Sequence, residues 1–221
     1  MSYTLSDPVY DPPREPYLRV VYRDDVLLVL DKPSGLLSVP GRHPSLQDSI
    51  ATRIREEFPH AQMINRLDKD TSGLVLAALD KKAHAAIAAQ FENRTTKKLY
   101  TAIVHGHLAQ GEGFIDLPLA GDPENKPRHR VDHVHGKPAQ TQWRVAERLP
   151  AFTRVQLIPL TGRTHQLRVH MKSIGHPILG DPLYAEGDAL AAAARLMLHA
   201  EQIGFRHITG EDMTFTAPCP F

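Results

Sequence analysis

Two carboxylates and an arginine stand close together in Asn65-Arg66-Leu67-Asp68-Lys69-Asp70-Thr71-Ser72-Gly73. A carboxylate held on a loop can serve as nucleophile or general base, and an arginine beside it can hold an anionic substrate. Arg163, His165, Arg168 and His170 form a second polar group far along the chain. Tyr100 follows Lys97-Lys98-Leu99, so an aromatic ring sits next to paired cations. That combination suits a base stacked beside its phosphate. Plainer readings run alongside: Asp70 shaping a turn, Tyr100 as a core or rim aromatic, Arg168 as a helix surface charge.

Other chemistries fit these residues less well. Asp68 to Gly73 begins like a calcium loop, but its twelfth position is Leu79, where a bidentate glutamate is required. His165 and His170 lack a carboxylate or cysteine to complete a metal set, so no metal is expected. A magnesium-dependent aspartyl-phosphate phosphotransferase would also use paired aspartates. It needs an apolar strand before the first of them, and Gln62 to Leu67 is too polar. A non-catalytic RNA-binding module would keep the basic residues and have no use for Asp68.

Elements must hold these groups in place. Leu74 to Leu79 reads as a buried strand that anchors the Asp68 loop, with Ser72-Gly73 as the bend into it. Leu18–Tyr22 and Val26–Leu30 predict a hairpin. Leu46, Ile50, Ile54 and Phe58 predict a helix over 45–58, capped by Ser45 and stopped by Pro59. A second helix is expected from Lys81 to about Arg94, with Asp80 as its cap. Leu99 to Val104 reads as the strand carrying Tyr100. Gly106 to Gly113 is rich in turn residues, and residues 121–138 form a long irregular loop. Strands are expected over Ala139–Glu147, Phe152–Pro159, Met197–Phe205 and Asp212–Thr216. Between them, Leu167, Met171 and Ile174 mark a helix ended by Gly175, and Ala189 to Ala194 a short helical segment. No repeat or regular βαβ alternation appears. The expected class is α+β, a mixed and largely antiparallel sheet with flanking helices.

The 221 residues are 42% hydrophobic and 23% charged, which fits a globular chain with a real core. Residues 1–17, with four prolines among the first sixteen, read as an extended N-terminal tail; 18–221 read as one domain. Cys219 is the single cysteine, so no internal disulfide is expected. No signal peptide or membrane-length apolar run is visible, and the expected place is the cytoplasm. The net charge is only +1. Its distribution is more telling: Arg94, Lys97 and Lys98 cluster, as do Lys126, Arg128 and Arg130, and again Arg163, Arg168 and Lys172. Brought to one face, such groups match a phosphate backbone.

Three stretches resemble the signatures of the RluA-type pseudouridine synthases. They are Arg66-Leu67-Asp68 with Thr71-Ser72-Gly73, then Lys97-Lys98-Leu99-Tyr100 with Ala102, Val104 and Gly106, then Gly162-Arg163-Thr164-His165-Gln166-Leu167-Arg168-Val169-His170. Asp31-Lys32-Pro33-Ser34-Gly35, His176-Pro177-Ile178-Leu179-Gly180-Asp181 and Leu198-His199-Ala200 support them. The resemblance is nearest to members without a separate N-terminal RNA-binding domain, as Gly35 to Gly41 also indicates. It implies the pseudouridine synthase catalytic fold with a central RNA-binding cleft. The activity implied is isomerisation of uridine in structured RNA to pseudouridine, without cofactor or metal. The RNAs implied are a 23S ribosomal RNA hairpin and a tRNA anticodon stem-loop, handled by a monomer with no obligatory protein partner. By the same resemblance Asp68 is the nucleophile or base, Tyr100 stacks on the flipped base, and Arg168 is the cation opposite Asp68. Arg66 fills the gap the base leaves. Asn65, Arg94, Lys97, Arg128, Arg130, Arg163 and His165 are the remaining expected RNA contacts, although the family usually has histidine where Asn65 stands.

Overall fold

The computed structural model describes residues 10–221, so the first nine residues of the expected tail lie outside the described residues. In chain order the strands are β1 (Val20–Arg23), β2 (Leu27–Lys32), β3 (Gln62–Met63), β4 (Ser72–Ala78), β5 (Lys97–His105), β6 (Glu112–Asp116), β7 (Leu119–Gly121), β8 (His129–Val131), β9 (Gln140–Arg148), β10 (Phe152–Pro159), β11 (Leu198–Arg206) and β12 (Asp212–Thr216). The helices are α1 (Ile50–Glu57), α2 (Lys81–Glu92), α3 (Gln166–Ser173) and the short α4 (Gly187–Ala191).

One sheet runs β1-β2-β4-β11-β5-β10-β9-β6, with β3 added beside β4 and β12 beside β11. Every pairing in it is antiparallel except β4 with β11, where Ser72 faces His199 and Gly73 faces Ala200. The class is the α+β expected. Helices cover both faces of β2 and β4, which explains why these strands are buried at every position instead of alternating. Ile50 and Ile54 of α1 pack on Leu28, Leu30, Val75 and Ala77. Ile87 of α2 packs on the opposite set, Leu27, Val29, Leu74 and Leu76. Leu167 and Met171 of α3 cover Ala102, Val104, Val155 and Leu157 on β5 and β10. The chemical residues are therefore anchored at β4, β5 and α3, three elements locked into the core.

Several expectations need correction. The first helix starts later than its four-residue periodicity predicts. Pro44–Leu46 is a 3-10 turn, and Ser49, not Ser45, caps α1 in a reciprocal pair with Thr52. Residues 106–113 do not stay in turns: β6 starts at Glu112 and pairs with β9. Gly113 permits this, because a Cβ there would lie 2.5 Å from the Trp143 ring. The irregular stretch 121–138 contains β8, which folds back on β7 as a separate two-stranded ribbon. Strand β3 is too short and too polar to show as a pattern. The second helix and its Asp80 cap, and strands β10 and β12, lie where expected.

Two buried histidines link this core to pH. His170 on α3 lies between Thr141 Oγ1 at 2.9 Å and the Leu117 carbonyl at 3.0 Å. His199 on β11 lies between Ser72 Oγ at 2.8 Å and the Ala217 carbonyl at 3.1 Å. Burial lowers the pKa of both. As pH falls through the ordinary imidazole value of about 6.5, the unfolded chain takes up protons that the folded chain resists. The stability these two residues contribute is then lost. Thermal melts should show a falling Tm from pH 7 towards pH 5; an unchanged Tm across that window would contradict the neutral, buried assignment.

Candidate active site

The loop from Leu67 to Thr71 is tied to the segment that follows β2. Ser38 Oγ donates to the Leu67 carbonyl at 2.6 Å and accepts from the Leu67 N–H at 2.9 Å. Ser34 Oγ donates to the Asp70 carbonyl at 2.7 Å, and the Gly35 N–H donates to the Lys69 carbonyl at 2.9 Å. Lys32 is buried completely, and its ammonium donates to the carbonyls of Pro33, Leu36 and Lys69. Burial pushes the Lys32 pKa down to about 7, against the pull of Asp70 and Asp68. After the loop the chain enters β4 through Gly73 at φ +112°. A Cβ there would lie 2.3 Å from the Ala200 carbonyl oxygen, so only glycine lets β4 meet β11 this closely.

Asp68 faces α3. Arg168 Nη1 donates to Asp68 Oδ2 at 3.0 Å. The rest of the guanidinium is committed elsewhere: Nε and Nη2 donate to the two oxygens of Asp181, both at 2.8 Å. Asp181 is fully buried and also accepts from the N–H groups of Leu183 and Tyr184. Burial opposes the charge on Arg168; Asp181 and then Asp68 more than offset it and raise its pKa. The result is a rigid fork whose third arm holds a carboxylate that is about one quarter exposed.

His165 starts α3 in the left-handed conformation, φ 56°, which costs a non-glycine residue about 1–2 kcal/mol. The strain is absorbed by its surroundings. Gln166 Oε1 accepts from the Arg163 N–H and from Thr161 Oγ1, while its amide donates to Gln140 O and Thr141 Oγ1. His165 Nδ1 lies 2.7 Å from the Tyr184 hydroxyl, and its Nε2 lies 3.8 Å from Asp68. Because that hydroxyl accepts from the His129 N–H, it is set to donate to Nδ1, which leaves the ring proton on Nε2, towards Asp68. Burial lowers the His165 pKa, the first of several causes, and pushes the Tyr184 phenol up to about 12.

Asp68, Tyr100, Arg168, Arg66, Arg163 and His165 share one cleft of about 120 Å³. Burial, and then Asp68, hold the Tyr100 phenol well above its usual range, so its ring enters the cleft neutral. Arg66 is exposed at the mouth and forms no ion pair among the described residues. The other expected contacts are arranged differently. Asn65 Oδ1 accepts from the Leu76 N–H at 2.7 Å, so its carbonyl holds β4 and does not face the cleft opening. Arg130 lies within 3.8 Å of Asp122 and 3.5 Å of Asp132, so its charge is already matched. Arg128 immediately precedes β8, beside the His129 that meets His165, and is not among the residues lining the cleft. Arg94 and Lys97 line a neighbouring groove and not the cleft itself. Lys32, Asp181 and Tyr184 carry weight that their spacing did not reveal; two of them fall inside stretches quoted for the family resemblance, yet the pairing with Arg168 is visible only in three dimensions. A larger cavity of about 710 Å³ behind the loop is lined by Lys32, Asp70, Ser72 and Arg195, and contains neither Asp68 nor Tyr100.

A family model described as RNA pseudouridylate synthase matches residues 26–173. A dual-specificity RNA pseudouridine synthase RluA of Escherichia coli K12 is 50% identical over 214 residues, covering 96% of this chain and 98% of that protein. The protein of the same name in Haemophilus influenzae is also 50% identical over 214 residues. Among solved structures, human RNA pseudouridylate synthase domain containing 1 superposes with a TM-score of 0.80 at 31% identity, over 96% of this chain and 87% of that one.

Lys32 gives this geometry a test. Lys32→Met keeps the apolar stem and removes the ammonium, leaving the Pro33, Leu36 and Lys69 carbonyls without that donor. Each buried acceptor left unmade costs about 1–3 kcal/mol. Thermal melts should place Lys32→Met several degrees below the parent, and limited proteolysis should cut first near residues 67–71. A melt and a cleavage pattern identical to the parent's would show that the ammonium does not hold the loop.

Proposed function

The chain belongs to the RNA pseudouridylate synthase family and isomerises uridine in RNA, and from that premise we propose that Asp68 is the group that acts on the ribose of a flipped-out uridine. The observation that carries this assignment is the bond from a buried, doubly anchored Arg168 to Asp68 at the floor of a cleft that also holds Tyr100. Isomerisation breaks the C1′–N1 bond, turns the uracil and joins C1′ to C5, from which a proton leaves. Asp68 serves as nucleophile at the sugar or as base on it. Arg168 supplies the opposing charge throughout and fixes the carboxylate's direction, so little reorganisation is needed when the bond breaks. Tyr100 stacks on the base while it is detached, and stacking of this kind is worth about 1–3 kcal/mol per base. Its neutral phenol is also placed to hold or pass a proton. Arg66, at the cleft mouth, enters the space the base vacates and offsets the few kcal/mol that unstacking costs.

The RNA partners we propose are a ribosomal RNA hairpin and a tRNA anticodon stem-loop. Support comes from the near full-length 50% identity to curated enzymes whose name states dual specificity. Arg163, which lines the cleft, and Arg128, next to the His129 that meets His165, are assigned to the RNA backbone; Arg130 contributes less, since Asp122 and Asp132 already face it. His165 orders the site beside Asp68. The domain we assign runs from residue 18 to 221, working as a monomer in the cytoplasm. No helix among the described residues is long and apolar enough to cross a membrane.

Asp68→Asn keeps the shape of the side chain and removes the attacking oxygen's charge. With RNA carrying tritium at uracil C5, the variant should release no tritium while melting and binding RNA close to the parent. Release at a tenth of the parent rate or more would remove Asp68 from the reaction.

A further inference from the structure

His165 offers the cleft a hydrogen-bond donor that no described residue takes up. Its Nδ1 lies 2.7 Å from the Tyr184 hydroxyl, whose own proton has no other acceptor among the described residues. Burial, first among several causes, lowers the His165 pKa, so near neutral pH the ring carries a single proton, on Nε2. Asp68 Oδ2, 3.8 Å from Nε2, is beyond hydrogen-bond reach. That oxygen already accepts from Arg168, while Asp68 Oδ1 accepts no hydrogen bond among the described residues. Both residues line the cleft. His165 holds its place at φ 56°, and strained backbone of this kind collects where groups are positioned for function.

A donor and an acceptor 3.8 Å apart fit one group that accepts and donates at once, since a hydroxyl oxygen lies at ordinary hydrogen-bond distance from both. A carbonyl or phosphate oxygen only accepts, and would face the Asp68 charge. Within an RNA strand the ribose 2′-hydroxyl has both capacities. It sits on the carbon next to C1′. The two oxygens of a carboxylate are spaced much as C1′ and the 2′ oxygen are, so with Oδ2 on the hydroxyl, Oδ1 is left to face the sugar carbons.

Resting on the reading that Asp68 acts on the ribose of a flipped-out uridine, we propose that His165 Nε2 and Asp68 Oδ2 together hold the 2′-hydroxyl of that uridine, and that Tyr184 is the positioning residue that keeps the His165 proton on Nε2. The pair thereby selects ribose over deoxyribose at the target nucleotide. Tyr184 acts from outside the cleft lining, through a hydroxyl that also accepts from the His129 N–H at the start of β8. An ordered water bridging the same two atoms is the rival occupant. It would leave the enzyme's response to a missing 2′-hydroxyl independent of His165.

The test compares anticodon stem-loops carrying uridine or 2′-deoxyuridine at the target position, each with tritium at uracil C5, in single-turnover reactions. For the parent protein the deoxy substrate should react at least about tenfold more slowly, as for a lost hydrogen bond to a charged group. His165→Asn tolerates the left-handed backbone and is too short to reach the Nε2 position. It should slow the uridine substrate and shrink the deoxy penalty at least about threefold, because losses at one shared contact do not add. Tyr184→Phe keeps its ring by Arg168 and should shrink the penalty too. Imidazole nitrogen NMR should show His165 as the Nε2–H tautomer in the parent and as a mixture in Tyr184→Phe. His165→Gln, with an N–H near the Nε2 position, should retain more of the penalty than His165→Asn. A deoxynucleotide beside the target should show none of this dependence. Where the deoxy substrate does not turn over, the same comparison is read from its affinity as a competitor of the uridine stem-loop. An equal deoxy penalty in the parent, His165→Asn and Tyr184→Phe, or an Nδ1–H tautomer of His165 in the parent, would overturn the proposal. A parent protein that binds but does not isomerise the unmodified stem-loop would overturn instead the substrate reading on which it rests.

Discussion

A guanidinium buried to 2% exposure between two aspartates governs the site. Arg168 cannot shed its charge, so the fold must surround it with acceptors. Asp181 takes two of its donors in a fork and is itself held by backbone N–H groups, which fixes the plane of the guanidinium. The third nitrogen, Nη1, is thereby aimed at Asp68 and donates to it. Removing one member of a buried pair usually costs about 3–5 kcal/mol, because the other is left uncompensated. The Tyr184 ring lies 5.1 Å from the same guanidinium and reaches His165 through its hydroxyl, so the histidine nearest Asp68 is placed by the same cluster.

The other side of the carboxylate is set by backbone. Asp68 lies on a loop, where side chains usually wander. Here Ser34, Ser38 and Lys32 bind the loop's carbonyls from beneath, and Gly73 lets the following strand press against β11. Two independent supports therefore meet at Asp68: a polar clamp from the chain after β2 and a charged fork from α3. This is how a loop residue comes to have the fixed geometry that catalysis needs.

Much of this was readable from residues. The apolar run of β4, the Asp80 cap of α2 and the alternation in β10 follow from burial and capping rules, and the structure has them in place. The signature stretches led to Asp68, Tyr100 and Arg168, which the fold gathers into one cleft. Long-range pairing was not readable. No spacing rule says that Arg168 and Asp181 share a fork, or that Lys32 meets the Lys69 carbonyl across 37 residues. Asn65 looked like an RNA contact because of its neighbours, but its carbonyl is used by the Leu76 N–H. The β7–β8 ribbon hid behind proline and glycine, since pairing between so few residues leaves no periodic trace. Arg130 illustrates the same limit for charge: its neighbours in sequence are basic, and its neighbours in space are Asp122 and Asp132.

Asp181 is not itself among the residues that line the cleft, yet it is the residue through which Arg168 is held. The most direct measurement is single-turnover isomerisation by Asp181→Asn, alongside RNA affinity and a thermal melt. The expected result is a chemical step slowed by at least tenfold, RNA affinity close to the parent's, and a protein that still melts cooperatively. An unchanged chemical step in a folded Asp181→Asn protein would contradict the view that the buried fork aims Asp68.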